Sequence, residues 1–135
     1  MSSPVENAKT YFLHVHGGGV VSQIAGRTSE NEVHIRPKNG SAGQQWTAEL
    51  NHHNFGFRSQ KNDNFLGSNG NGDIQATAAQ LKAWETFSVD PVENGYRLSV
   101  NKDGTWKTVA RPAEADYLHL SNSEYTPITF EQVKD

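Results

Sequence analysis

The stretch His14-Val15-His16-Gly17-Gly18-Gly19 carries the sharpest chemical signal in this 135-residue chain. A His-Gly-Gly-Gly run after an apolar strand can aim backbone N–H groups at a developing oxyanion, as acyl transfer requires. That chemistry also needs a serine on a strand–turn–helix elbow with G-x-S-x-G spacing. Gly40-Ser41-Ala42-Gly43 and Gly67-Ser68-Asn69-Gly70 lack that spacing. With no nucleophile to serve, the glycine run is expected to be a turn between two paired strands.

Histidine offers a second chemistry. His14 and His16 stand two apart, on one face of a strand, as metal ligands often do. His34 and His119 take corresponding places further along, and His52-His53 falls in a loop. No carboxylate sits at a third-ligand spacing, so the six histidines are expected to be solvent-facing positions and no metal is expected. Catalytic carboxylates are equally hard to place. Glu85, Asp103, Glu114, Asp116 and Glu124 all read as loop or edge residues, none forced into an apolar pocket. The chain is therefore expected to be non-catalytic, with no cofactor.

A third pattern points to ligand binding. Asn62, Asp63, Asn64, Asn69, Asn71 and Asp73 concentrate hydroxyl-binding side chains in one stretch, and Asp103 precedes Trp106 in another. An aromatic face packs against the C–H side of a pyranose ring while amides and carboxylates bind its hydroxyls. These eight residues form the expected ligand-binding set. The acidic spacing of an EF-hand loop is missing from the first stretch, whose plainer use is two tight turns around Phe65-Leu66.

Bulk composition narrows the partners. A net charge of −3 leaves no basic footprint for nucleic acid. The absence of cysteine excludes disulfides and thiolate chemistry. Neither a signal-peptide h-region nor a run near the ~18 apolar residues of a membrane span occurs, so a cytoplasmic location is expected.

The elements that must position these residues are strands. Helical periodicity is poor, and short alternating runs are bounded by Asn, Asp, Gly, Pro and Ser. Those runs recur with a period of about 40 residues. Tyr11, Phe55 and Tyr96 align, then Leu13, Phe57 and Leu98, then Val21, Phe65 and Trp106. Val33–Ile35, Ile74–Ala76 and Leu118–Leu120 correspond in turn, with His34, Gln75 and His119 at their centres. Each unit closes on an apolar strand opening at Trp46, Trp84 or Ile128, which places both tryptophans in the core. Three units of four short strands predict an all-β fold, a single β-trefoil with three pseudo-symmetric repeats at 8–51, 52–92 and 93–135, after a flexible 1–7.

The middle unit, Phe57–Gly67, Gly72–Ala76 and Trp84–Val89, resembles a fascin-type trefoil repeat, and Thr129–Val133 resembles the ending of hisactophilin-like trefoils. The resemblance implies the trefoil fold and, through fascin-like proteins, binding to actin. Arg58, Lys61, Lys102, Lys107 and Arg111 are the basic residues such a contact would use. Of the Q-x-W signature of ricin-B-type lectins only Gln44-Gln45-Trp46 is present. The function expected first is a lectin-like carbohydrate-binding module. Actin or other protein binding comes second, and protease inhibition through the loop 110–116 third. The oligomeric state is left open.

Overall fold

The computed structural model describes residues 5–24 and 32–134. Six strands, β1 (Thr10–Val15), β4 (Trp46–Asn51), β5 (Asn54–Ser59), β8 (Phe87–Val92), β9 (Gly95–Lys102) and β12 (Ile128–Gln132), pair antiparallel in a closed ring. The other six form three hairpins: β2 (Val20–Ile24) with β3 (Glu32–Arg36), β6 (Phe65–Ser68) with β7 (Ile74–Ala78), and β10 (Thr105–Ala110) with β11 (His119–Ser121). The hairpins meet where Glu32 pairs with Gln75 and Asp73 with His119. A six-stranded barrel capped by three hairpins is a β-trefoil, and closure leaves the barrel without an open edge.

Register shows the symmetry directly. Tyr11 pairs with Trp46, Phe55 with Phe87 and Tyr96 with Ile128, one pair per unit. Leu13, Phe57 and Leu98 stand two residues on, each essentially inaccessible. Phe130 joins the units by stacking on Phe57 at 5.8 Å and meeting Tyr11 edge-on at 5.9 Å. Period-two alternation sends every second side chain of these strands inward.

The register corrects two alignments made from the letters. The partner of Trp46 in the second unit is Phe87, not Trp84. Both β4 and β8 are preceded by a short 3-10 turn, Ala42–Gln44 and Ala83–Glu85, and Trp84 sits within the second of these. Trp46 is fully buried and donates from Nε1 to the Val21 carbonyl at 3.0 Å, whereas Trp84 is only half-buried.

Nor does Trp106 match Phe65 and Val21. Pairing begins with His14–Val20 in the first unit and Arg58–Phe65 in the second. In the third, Ser99–Thr108 is the corresponding pair, and the hairpin runs on through Lys107, Trp106 and Thr105. Val109 therefore replaces Val21 and Leu66 in the core, and Trp106 rides on a projecting extension.

The beginning of the described chain is packed. Val5 is buried in the core cluster, Glu6 N–H donates to the Tyr11 hydroxyl, and Asn7 Oδ1 accepts from Leu50 N–H. The expected flexible 1–7 overlaps this packed start at 5–7. Residues 1–4 lie outside the described residues.

Candidate functional site

The β9–β10 hairpin is closed by Asp103 and Gly104, both at positive φ (55° and 90°). Two left-handed residues give the tight turn whose twist matches paired strands. Asn101 Oδ1 accepts from Gly104 N–H at 3.0 Å and fixes the tip. Trp106 pairs with Asn101 across the hairpin, so both project from the same face, and Trp106 is 51% exposed.

The strands beside it continue that face. Ser88 is opposite Ser99 and Asp90 opposite Arg97 in the β8–β9 pairing. Their side chains alternate with the inward Leu98 and Val100. With Asn54 at the start of β5 they line a groove of about 310 Å³ against Trp106. Ser88 Oγ donates to Asp90 Oδ2 at 3.3 Å, and Arg97 Nη2 stands 3.8 Å from the same oxygen. The groove thus has an apolar indole wall and a floor of hydroxyl, amide, carboxylate and guanidinium groups. That donor and acceptor set can bind hydroxyls while a ring lies on the indole.

The eight residues singled out in the sequence fall in separate places. Asn62, Asp63 and Asn64 form the β5–β6 turn, where Asp63 has φ 65° and Asn62 Oδ1 accepts from Asn64 N–H. Asn69 turns the β6–β7 hairpin by accepting from the N–H groups of Asn71 and Asp73 at 2.9 and 3.0 Å. Asp73 lines a separate cleft with His34, Gln75 and Tyr117. Asp103 makes the turn beneath Trp106. Of the eight, Trp106 alone lines the groove described above. Asn54, Ser88, Asp90, Arg97 and Ser99 escaped sequence reasoning. The alternations Ser88-x-Asp90 and Arg97-x-Ser99 beside core residues are the signal that marks them.

The His16–Gly19 run is a turn, with Gly17, Gly18 and Gly19 at φ 99°, 121° and 89°. Among the described residues no group of three or more His, Cys, Asp and Glu could hold a metal ion. His14 meets Glu131 at 2.6 Å, and His34 lies between Glu32 and Asp116 at 3.1 and 3.2 Å. A hydrogen bond from Arg36, with the charge and hydrogen bond of His34, holds Asp116 below its ordinary carboxylate range. Among the described residues no helix is long and apolar enough to cross a membrane. Of the five basic residues an actin contact would use, Arg58 pairs with Glu49 at 2.5 Å, Lys102 donates to the Asn69 and Gly70 carbonyls, and Arg111 Nε donates to the Ala115 carbonyl.

No protein-family model and no curated protein matches the chain by sequence. Its fold does match solved structures. It is similar to a ricin B-like lectin of Macrolepiota procera in complex with lactose, with TM-score 0.78, 17% identity, and coverage of 96% of this chain and 99% of the other. It is also similar to the Rhizoctonia solani agglutinin, with TM-score 0.71, 14% identity, and coverage of 98% and 100%. A third structure, SeviL bound to asialo-GM1 saccharide, gives TM-score 0.70, 12% identity, and coverage of 95% and 100%. At these identities the likeness establishes the β-trefoil fold.

Proposed function

We propose that this chain is a non-catalytic carbohydrate-binding β-trefoil whose principal site is the groove beside Trp106. The observation that carries the reading is Trp106 itself, a large aromatic held in water beside a two-residue hairpin turn and above a polar floor. An exposed tryptophan with no role in the core is a ready platform for a sugar ring, and the surrounding groups suit its hydroxyls. The likeness to lectins solved with lactose and with asialo-GM1 saccharide supports the same reading.

Calorimetric titration of simple sugars and a glycan array, run on the intact chain and on Trp106→Ala, test it. Binding that is lost on substitution, with the fold unchanged by circular dichroism, supports the proposal. No binding at millimolar ligand, or binding indifferent to Trp106, overturns it.

A further inference from the structure

The His16–Gly19 turn between β1 and β2 faces a separate cleft. His16, on the β1–β2 turn, Arg111 and Glu114, in the loop after β10, and Tyr125, before β12, converge there, with Pro112 and Pro127 as apolar walls. Its volume is about 390 Å³. Arg111 is held in place: Nε donates to the Ala115 carbonyl at 2.6 Å and its backbone N–H to Thr126 Oγ1 at 2.7 Å. His16 N–H donates to the Pro127 carbonyl at 3.0 Å, which fixes the facing turn. A Cβ at Gly17 would stand 3.6 Å from Arg111 Nη1, so the bare glycine keeps that side of the guanidinium open.

The chemistry of this cleft differs from that of the groove. A guanidinium keeps its charge at every working pH and presents a planar fork that fits a carboxylate. His16 adds a ring N–H donor, and Tyr125, 43% exposed, adds an aromatic face. Glu114 lies on the same lining and opposes negative charge. The two sites are neighbours: Arg97, on the floor of the Trp106 groove, stands 5.9 Å from the ring centroid of Tyr125.

We infer that the His16–Arg111–Tyr125 cleft takes the carboxylate of an acidic sugar belonging to a glycan whose neutral part lies on Trp106. The inference rests on the carbohydrate reading and names its ligand class. Arg111 bonds the carboxylate, His16 adds a donor, and Tyr125 with the two prolines covers the apolar side of the acidic ring. Glu114 limits the cleft to a single negative charge.

The test compares matched pairs on the full chain at low salt: sialyllactose against lactose, and digalacturonate against galactobiose. In at least one pair the acidic member is expected to bind about tenfold tighter, as one charge-assisted bond allows. Arg111→Gln then erases the difference and leaves neutral binding, and ~0.5 M salt shrinks it. Should Arg111→Gln fail to fold, Glu114→Gln carries the test, because it raises affinity for the acidic member alone. Equal affinity within both pairs, or a preference that survives Arg111→Gln, overturns the inference and leaves the Trp106 reading standing. Acidic binding untouched by Trp106→Ala sustains the cleft and overturns the groove. No binding by any of the four sugars at millimolar concentration overturns the cleft, and the groove too if the wider array is empty.

Discussion

Lys102 Nζ stands 4.9 Å from the centroid of the Trp84 ring and donates to the carbonyl oxygens of Asn69 and Gly70 at 3.0 and 3.1 Å. One side chain of the third unit thus locks onto the 3-10 turn and the β6–β7 turn of the second. Lys102 is also the last residue of β9, directly below the tip that carries Trp106. Replacing it with methionine keeps the aliphatic stem and deletes the charge. The expected loss is about 1–2 kcal/mol, from one cation–π contact and a bond to backbone oxygens. Sugar binding should weaken as well, since Lys102 ties the base of the tip that carries Trp106 to the second unit. Urea denaturation and calorimetric titration of the same variant measure both effects.

The two tryptophans of known and opposite burial make a sharper pair. Trp46→Ala removes a fully buried indole and its bond to the Val21 carbonyl, and should cost about 3–5 kcal/mol. Trp106→Ala removes an exposed ring and should change stability by less than about 0.5 kcal/mol. Binding should respond in the reverse order, lost with Trp106 and retained in whatever fraction of Trp46→Ala remains folded. Denaturation midpoints and sugar titrations on the two variants check this. A Trp106→Ala protein that unfolds early would show the ring to be structural.

These contrasts mark how far the letters could be read. The barrel was legible because Tyr11, Phe55 and Tyr96 repeat at nearly constant spacing and each opens a strand facing the core. The third unit misled because its β9–β10 hairpin is longer than its counterparts, so equal spacing matched Trp106 with buried residues. In the second unit the tryptophan at 84 outweighed Phe87, although Phe87 opens the strand. The polar stretch from Asn62 to Asp73 was rich in ligand-binding types, yet Asn62 and Asn69 spend their Oδ1 atoms on the chain's own N–H groups. Turn-making and sugar-binding draw on the same residue types, and only geometry separates them.

Gln44 and Glu85 hold matching places in the two 3-10 turns, and both are buried. Gln44 is satisfied by the N–H groups of Asn39 and Gly40, with its amide donating to Ser22 Oγ and Pro37 O. Glu85 accepts from Lys82 N–H at 3.1 Å, and burial pushes its carboxyl above the ordinary range despite that bond. Between the unfolded and the native value the native chain holds a proton the unfolded chain has released. Stability therefore declines as pH rises through that interval. Glu85→Gln keeps the acceptor and removes the charge, so it should raise the melting temperature at neutral pH and flatten this decline. Thermal melts from about pH 4 to 7 test it. A variant less stable than the parent at pH 7 would mean that the carboxylate is worth more to Lys82 than its desolvation costs.

Asp116 and Glu131 act in the opposite sense. Arg36 and His34 lower Asp116, and hydrogen bonds from His14 and Lys38 lower Glu131. Each is more acidic in the native chain than when unfolded, so its contribution is present above the unfolded carboxylate range and disappears as pH falls through the native value. Both pairs bridge the first and third units: Asp116 reaches β3, and Glu131 reaches β1 and the segment after β3. Acid should therefore loosen the seam between these units. Because both carboxylates are well exposed, salt should screen the effect. The double variant Asp116→Asn with Glu131→Gln should lose stability slightly at pH 7 and lose less than the parent between about pH 4 and 2. Parallel acid-unfolding curves at low and high salt decide it, and an unchanged slope in the variant at low salt would place the acid sensitivity in other carboxylates.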